Sequence, residues 1–381
     1  MIFVTVSFGV AFLITLLAIR INLANSSAHR RFAQQRRAWV RQPNLRGLTR
    51  SGGIGIAVAL GVSLAGRFFD NGSFAFAAAS FGLLLLASAA PIFVAGLTED
   101  FVQGLPIWIR FSAALVSAVM AGYLLDAWVV RLDVPGMDRL ISFQLVSMAF
   151  TCFAVAGLTN AFNIIDGFNG LASGVATLIL LGIAYVAFKV SDIPVLAASL
   201  TAVGAIAGFM LLNFPRGLIY LGDGGAYLIG FWIAELLVLL VARNAAVSPW
   251  FPILICSYPI FETLFSIYRR IVLRRTHPGV PDVAHLHHLI YKRLVRWLVG
   301  TNLSAHRTQR NALTSPYLWI LTSVGVVPAL IFWQHRAPLM IGALVFALAY
   351  IYGYTRIARF RAPTWWVLHK TGRNGREHSD Q

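Results

Sequence analysis

The sequence predicts an all-α, polytopic integral membrane bundle of about 10–11 transmembrane helices with its N-terminus outside. Three observations predict it. Of 381 residues, 58% are hydrophobic and only 12% are charged, whereas a soluble domain carries charge on roughly a quarter of its residues. Apolar runs of about 20 residues, enough to cross a hydrocarbon core of ~30 Å, recur along the whole chain. The basic residues gather in alternate connections between those runs.

The runs lie near 1–19, 52–69, 74–97, 107–125, 141–158, 171–189, 193–212, 224–242, 250–268, 316–334 and 338–355. Gly and Ala are frequent in them, as close helix packing in a bilayer favours. The first run has no basic residues before it, and its arginines begin only at Arg20. It therefore reads as a retained helix rather than a cleaved leader. With the N-terminus outside, the inside segments are 20–51, 98–106, 159–170, 213–223, 269–315 and 356–381. Arginines crowd the first, fifth and last of these, from Arg30 to Arg50, from Arg269 to Arg310 and from Arg356 to Arg376. The outside connections hold only Arg67, Arg131, Arg139, Lys189, Arg243 and Arg336. That asymmetry sets the orientation. One membrane domain, 1–355, is expected, followed by a polar tail over 356–381.

The formal net charge is +17. Because it sits in juxtamembrane loops, it points to membrane lipids rather than to nucleic acid. Cys152 and Cys256 lie inside apolar stretches, so neither a disulfide framework nor a zinc site is expected.

Every polar cluster of note falls in an inside segment. Asn160, Asn163 and Asp166 are spaced by three, which puts them on one helical face. Together they offer hard oxygen donors for Mg²⁺, or hydrogen bonds to a base and ribose; the alternative is a helix end capping itself. Asn169 follows, between Gly167 and Gly170. Gly222, Asp223, Gly224 and Gly225 leave backbone N–H groups free for an anion and a carboxylate for a cation. Taken alone, that motif reads as a glycine turn with Asp as helix cap. Glu99 and Asp100 are adjacent, so on a helix one could meet a metal and the other a nucleophile, or both could be plain acids at a helix start. The run from His277 to His288 ends His285, Leu286, His287, His288. It lacks the cysteine or carboxylates of a zinc site. With arginines just upstream, its histidines suit phosphate oxygens.

The ordered set Ser51–Gly55, Glu99–Asp100, Asn160–Leu171, Leu221–Asp223 and His285–His288 resembles the polyprenyl-phosphate N-acetylhexosamine-1-phosphate transferase family, in the same superfamily as phospho-N-acetylmuramoyl-pentapeptide transferase. The resemblance implies transfer of a sugar-1-phosphate from a UDP-N-acetyl-aminosugar to undecaprenyl phosphate, releasing UMP, at the cytoplasmic face of a bacterial plasma membrane. It implies Mg²⁺, with Mn²⁺ as a substitute, on Asp223 with Asn163 beside it. Asp166 would lie in the catalytic centre. Asn169 would contact uridine, with Asn160, Gly222 and Arg50 as further substrate contacts. Asp100 would act on the lipid phosphate, and His285, His287 and His288 would hold the diphosphate. A homodimer is among the possible assemblies. The family usually has two aspartates where this chain has Glu99 and Asp100. The spaced histidines are those of the surface-polysaccharide branch, which starts O-antigen or capsule chains. Direct attack of the lipid phosphate on the donor is expected, with a covalent Asp100 intermediate as the alternative route. From another class stands a transporter or flippase, for which Glu235 and Glu262, the acids well inside spans, would be the site.

Overall fold

The computed structural model describes residues 2–33, 50–69, 73–273, 284–295 and 304–359. Among them there is no strand. The basic stretch 34–49, the His277–Asp282 stretch and the tail from 360 lie outside the described residues.

The helices are α1 (Ile2–Ala33), α2 (Gly52–Gly66), α3 (Ser73–Val102), α4 (Ile107–Leu125), α5 (Met137–Ile141), α6 (Gln144–Ile165), α7 (Leu171–Lys189), α8 (Ile193–Asn213) and α9 (Gly222–Arg243). They continue as α10 (Phe251–Ile255), α11 (Ser257–Tyr268), α12 (Leu286–Arg293), α13 (Ser304–Ile331) and α14 (Arg336–Ala358). Among the described residues, nine helices are long and apolar enough to cross a membrane. The protein is a multi-pass membrane helical bundle.

Two predicted spans differ from the expectation. The run at 52–69 forms a helix of only 15 residues, too short to cross alone. The run at 250–268 breaks at Cys256 into α10 and α11. Pro259 explains the break, because its ring would strike the carbonyl four residues earlier and it has no N–H to give. In the first turn of a new helix both defects are harmless.

Helix α9 is the centre of the bundle: 89% of its span is buried, against 17% for α1. It packs on α2, α3, α6 and α7, while α1 lies outside against α2 and α8. Lipid tails are as apolar as leucine, so helices in a bilayer are held by close van der Waals contact rather than by expulsion of water. The α3–α9 contact shows this. A Cβ on Gly96 would stand 2.6 Å from the Gly224 Cα, so the two backbones touch where no side chain fits. At the far end, Asp192 caps α8 through the Val195 N–H (3.3 Å) and binds Arg243 (3.0 Å) and Asn244 (3.0 Å) from the end of α9.

Several helices run further than their apolar stretches. Helix α3 continues through Glu99 and Asp100 until Gln103, whose left-handed φ of 54° turns the chain. Helix α6 continues through Asn160 and Asn163 to Ile165. These polar residues therefore sit on helix ends, not on loops, and helix packing sets where they go.

Candidate active site

Four helix ends meet at the same end of the bundle. Asp100, in the last turn of α3, is buried, and its two oxygens accept the backbone N–H groups of Asp223 (2.8 Å) and Gly224 (2.9 Å). An acid at a helix C-terminus works against that helix's dipole; here it is placed on the positive end of α9 instead. The chain enters α9 at Gly222 with φ 80°, and a Cβ there would come within 2.6 Å of Asp100 Oδ2. Only glycine admits both the conformation and the approach.

Asp223 is thereby held in the first turn of α9. Its carboxylate accepts from Arg110 Nη1 on α4 (3.1 Å) and is hydrogen-bonded to Asn163 at the end of α6. Arg110 also donates to the Tyr227 hydroxyl at 3.5 Å. Asp166 follows as the residue that closes α6. Burial, then the charges of Asp223 and Asp100, push its carboxyl up to about 8, against the pull of the Arg50 guanidinium. Arg50 leads into α2, whose first amides, Gly52 and Gly53, donate to Tyr220 (3.0 Å) and Leu221 (2.9 Å) just ahead of α9.

The histidines form the opposite wall. Glu262 on α11 is fully buried, lies 2.9 Å from His285 Nδ1, and accepts from the Tyr350 hydroxyl (2.8 Å) and the Leu286 N–H (3.3 Å). Tyr354 donates to the Ala284 carbonyl (2.8 Å) and accepts from Arg269 (2.9 Å), which pins the entry to α12. His285 stacks on His287 at 5.3 Å between centroids, and His287 meets His288 edge-on at 4.5 Å. Burial, then its two histidine neighbours, lower the affinity of His287 for a proton. The two walls join at the turn after α6. A Cβ on Gly167 would stand 3.0 Å from His287 Nε2, and Phe168 lies edge-on to His287 (5.5 Å) and His288 (5.6 Å).

This geometry puts carboxylates, an amide, two guanidiniums and three imidazoles around one turn of chain, and comparison with known proteins says whose site it resembles. Residues 82–241 match the model of glycosyl transferase family 4. That match covers less than half of the chain. The chain is 30% identical over 247 residues to a probable undecaprenyl-phosphate N-acetylglucosaminyl 1-phosphate transferase of Bacillus subtilis, covering 63% of this chain and 65% of the relative. With the undecaprenyl-phosphate alpha-N-acetylglucosaminyl 1-phosphate transferase of Thermotoga maritima it shares 25% identity over 54% of this chain and 61% of the other. With the Escherichia coli K12 protein of the same description it shares 27%, over 73% and 74%. The chain thus spans just under two thirds of the length of the Bacillus and Thermotoga relatives.

The structure brings together Arg50, Asp100, Asn163, Asp166, Gly222 and Asp223, and sets His287 against Gly167, with His285 stacked on it and His288 beside Phe168. Other expected residues are engaged elsewhere. Glu99 Oε2 accepts the N–H groups of Gly104 (3.1 Å) and Leu105 (2.6 Å), closing the α3–α4 turn. Asn160 donates to the Ala156 carbonyl of its own helix (2.8 Å). Asn169 is buried, with its backbone N–H on Asn311 (2.7 Å), its carbonyl on Ser315 (2.6 Å) and its side-chain amide on Pro215 (3.3 Å). Its Oδ1 is buried without a partner among the described residues.

Sequence reasoning missed Arg110. Its signal was there: a lone cation in the first turn of an apolar run, which a bilayer tolerates only when something answers it. Tyr350 had no signal, being one of several aromatics in a lipid-facing helix.

A divalent cation fits the donor set. Asp223 supplies a carboxylate with the Asn163 amide beside it, and Mg²⁺ characteristically takes one or two carboxylates and completes its shell with water and phosphate. Burial raises Asp166 first and repulsion from Asp223 and Asp100 second, and a cation relieves the second. Among the described residues no group of three or more His, Cys, Asp or Glu is placed to hold a metal ion by itself.

Proposed function

We propose that this protein transfers N-acetyl-aminosugar-1-phosphate from a UDP-sugar to undecaprenyl phosphate, releasing UMP, and so starts a cell-surface polysaccharide of the O-antigen or capsule type. The observation that carries the reading is the meeting of the Asp100–Asp223–Asn163–Asp166 group with the His285–His288 wall across the Gly167 turn. The site would face the cytoplasm at a bacterial inner membrane, as the arginine asymmetry argues.

The acceptor would come from the lipid. Phe101 (73% exposed) and Trp108 (69% exposed) flank the α3–α4 turn, so an isoprenoid chain has an apolar bank beside Asp100 and Arg110. Arg110 is placed to hold a phosphate near Asp223, since a guanidinium binds phosphate oxygens well. His285 and His288 would donate to the donor's diphosphate. Phosphoryl transfer needs mainly positioning and charge neutralisation, and a phosphate monoester with a second pKa of about 6 is already largely ionised at neutral pH. Attack on the β-phosphorus therefore asks no strong base of the protein. Mg²⁺ held by Asp223 and Asn163 would supply charge stabilisation on the diphosphate. Because both Asp100 oxygens are engaged by α9 amides, direct attack is favoured over a covalent Asp100 intermediate.

The test is transfer of label from a panel of radiolabelled UDP-N-acetyl sugars to undecaprenyl phosphate by the purified protein in detergent, with and without Mg²⁺. Label should enter lipid with one sugar, require the cation, and fall about a thousandfold in Asp223→Ala. Failure with every sugar, by folded protein, would return the site to the transporter reading. Against that reading, Glu262 is bonded into the histidine wall rather than free at mid-span.

A further inference from the structure

Glu262 takes no part in the transfer as derived above, yet it is among the most fully engaged side chains in the molecule. It is fully buried on α11, its oxygens receive a phenol O–H and a backbone N–H, and an imidazole nitrogen lies at hydrogen-bond distance. A buried carboxylate is costly unless such donors surround it, and bonds to an ionised acceptor are the stronger class. Glu235 offers the contrast. It is equally buried in α9, and neither of its oxygens has a partner among the described residues.

We propose that Glu262 is a positioning residue for His285: it holds the ring with Nδ1–H on the carboxylate, so that Nε2 is the nitrogen presented to a phosphate oxygen of the nucleoside diphosphate donor, and Tyr350 orients the carboxylate. The phosphate half rests on the transfer reading given above. The chemistry follows from imidazole itself. Which nitrogen carries the proton is set by the bond the other one makes, and a carboxylate acceptor requires the proton at Nδ1. When the ring takes up a second proton, that proton sits on Nε2 and points at the ligand. The carboxylate behind it holds the ring's orientation, as a buried aspartate does in a hydrolase triad. The stacked ring of His287 keeps the imidazole from swinging away, and the Leu286 N–H holds the carboxylate.

The test has two arms on the full chain in nanodiscs. In the first, with ¹⁵N-histidine and no substrate, the ring signals that vanish in His285→Gln identify His285. They should report a protonated Nδ1 in the parent protein and move in Glu262→Gln. In the second, binding of UDP with Mg²⁺ and sugar-phosphate transfer are measured. Glu262→Gln should lower transfer about 10–100-fold, the range typical of a lost orienting partner, and Glu262→Asp should recover part of it. Tyr350→Phe should lower it severalfold. Neither change should add to the loss already caused by His285→Gln. Unmoved ring signals, or losses that multiply in the His285→Gln background, would overturn the positioning role. Should Glu262→Gln fail to fold, the Tyr350→Phe cycle decides alone. Ring signals that behave as stated in a protein that binds no UDP would sink the transfer reading and the phosphate half with it.

Discussion

The two walls of the candidate site are built by different means. The carboxylate wall is made from backbone: helix ends, glycine contacts and amides, on α3, α6 and the deeply buried α9. The histidine wall is made from side chains reaching one another across α11, α12 and α14, and only 28% of the α14 span is buried. In the first, Asp100 meets main-chain N–H groups and Gly96 touches the Gly224 backbone. In the second, Glu262, Tyr350 and His285 meet through side-chain atoms that can turn about several bonds. A backbone contact has nowhere to go when crowded, whereas a side-chain contact can shift. The carboxylate wall should therefore be brittle and the histidine wall adjustable.

The sharpest way to break that comparison is a matched pair of glycine changes. Gly96→Ala puts a methyl 2.6 Å from the Gly224 Cα, so α3 and α9 must part; overpacking of this kind costs about 1–3 kcal/mol. Transfer should be lost and the thermal midpoint in detergent should fall clearly. Gly167→Ala meets only the far end of the His287 ring, at 3.0 Å. It should leave the midpoint near that of the parent and reduce transfer a fewfold. Equal damage from both would erase the distinction.

Next in size comes Asp100. Asp100→Ala strips two amides at the start of α9 of their acceptors, a capping loss of about 0.5–2 kcal/mol, and transfer should drop about a hundredfold as Asp223 loses its setting. Asp100→Asn keeps one acceptor oxygen and should retain measurable transfer. Equal, complete loss in both variants, together with a trapped phosphorylated Asp100, would make this residue a nucleophile instead.

Smaller effects sharpen the picture. Arg110→Lys keeps a cation near Asp223 but gives up the planar fork, so transfer should fall about tenfold, and Arg110→Ala should fall further. Glu99→Gln retains a carbonyl to accept the Gly104 and Leu105 amides, and transfer should stay within a fewfold of the parent. A loss of two orders of magnitude or more would place Glu99 in the chemistry rather than in the turn.

Much of the molecule was legible in the chain itself. Nine of the eleven predicted runs coincide with helices long enough to cross, because about 20 apolar residues in sequence can satisfy their backbone in a bilayer only that way. The polar residues that meet at the candidate site were legible too, since an acid or amide at the edge of an apolar run is rare. Helix ends were less so. Asp100 and Asn163 lie within helices because neighbouring elements accept their polar groups, and hydropathy alone cannot register that. The partners of those groups were least legible. Arg110 and Asp223 are 113 positions apart, and Asp100 and Gly224 are 124 apart.

By itself the sequence determined a membrane bundle and the set of polar residues available for chemistry, because these depend on composition and spacing along the chain. The tertiary structure alone decided which of them face one another: Asp100 on the amides of α9, Arg110 on Asp223, and Glu262 on His285 rather than in the middle of a transport path. Such pairings depend on how each helix is rotated and how far it slides against its neighbours. That is settled by where glycines let backbones touch, a property of two surfaces together and of neither sequence alone.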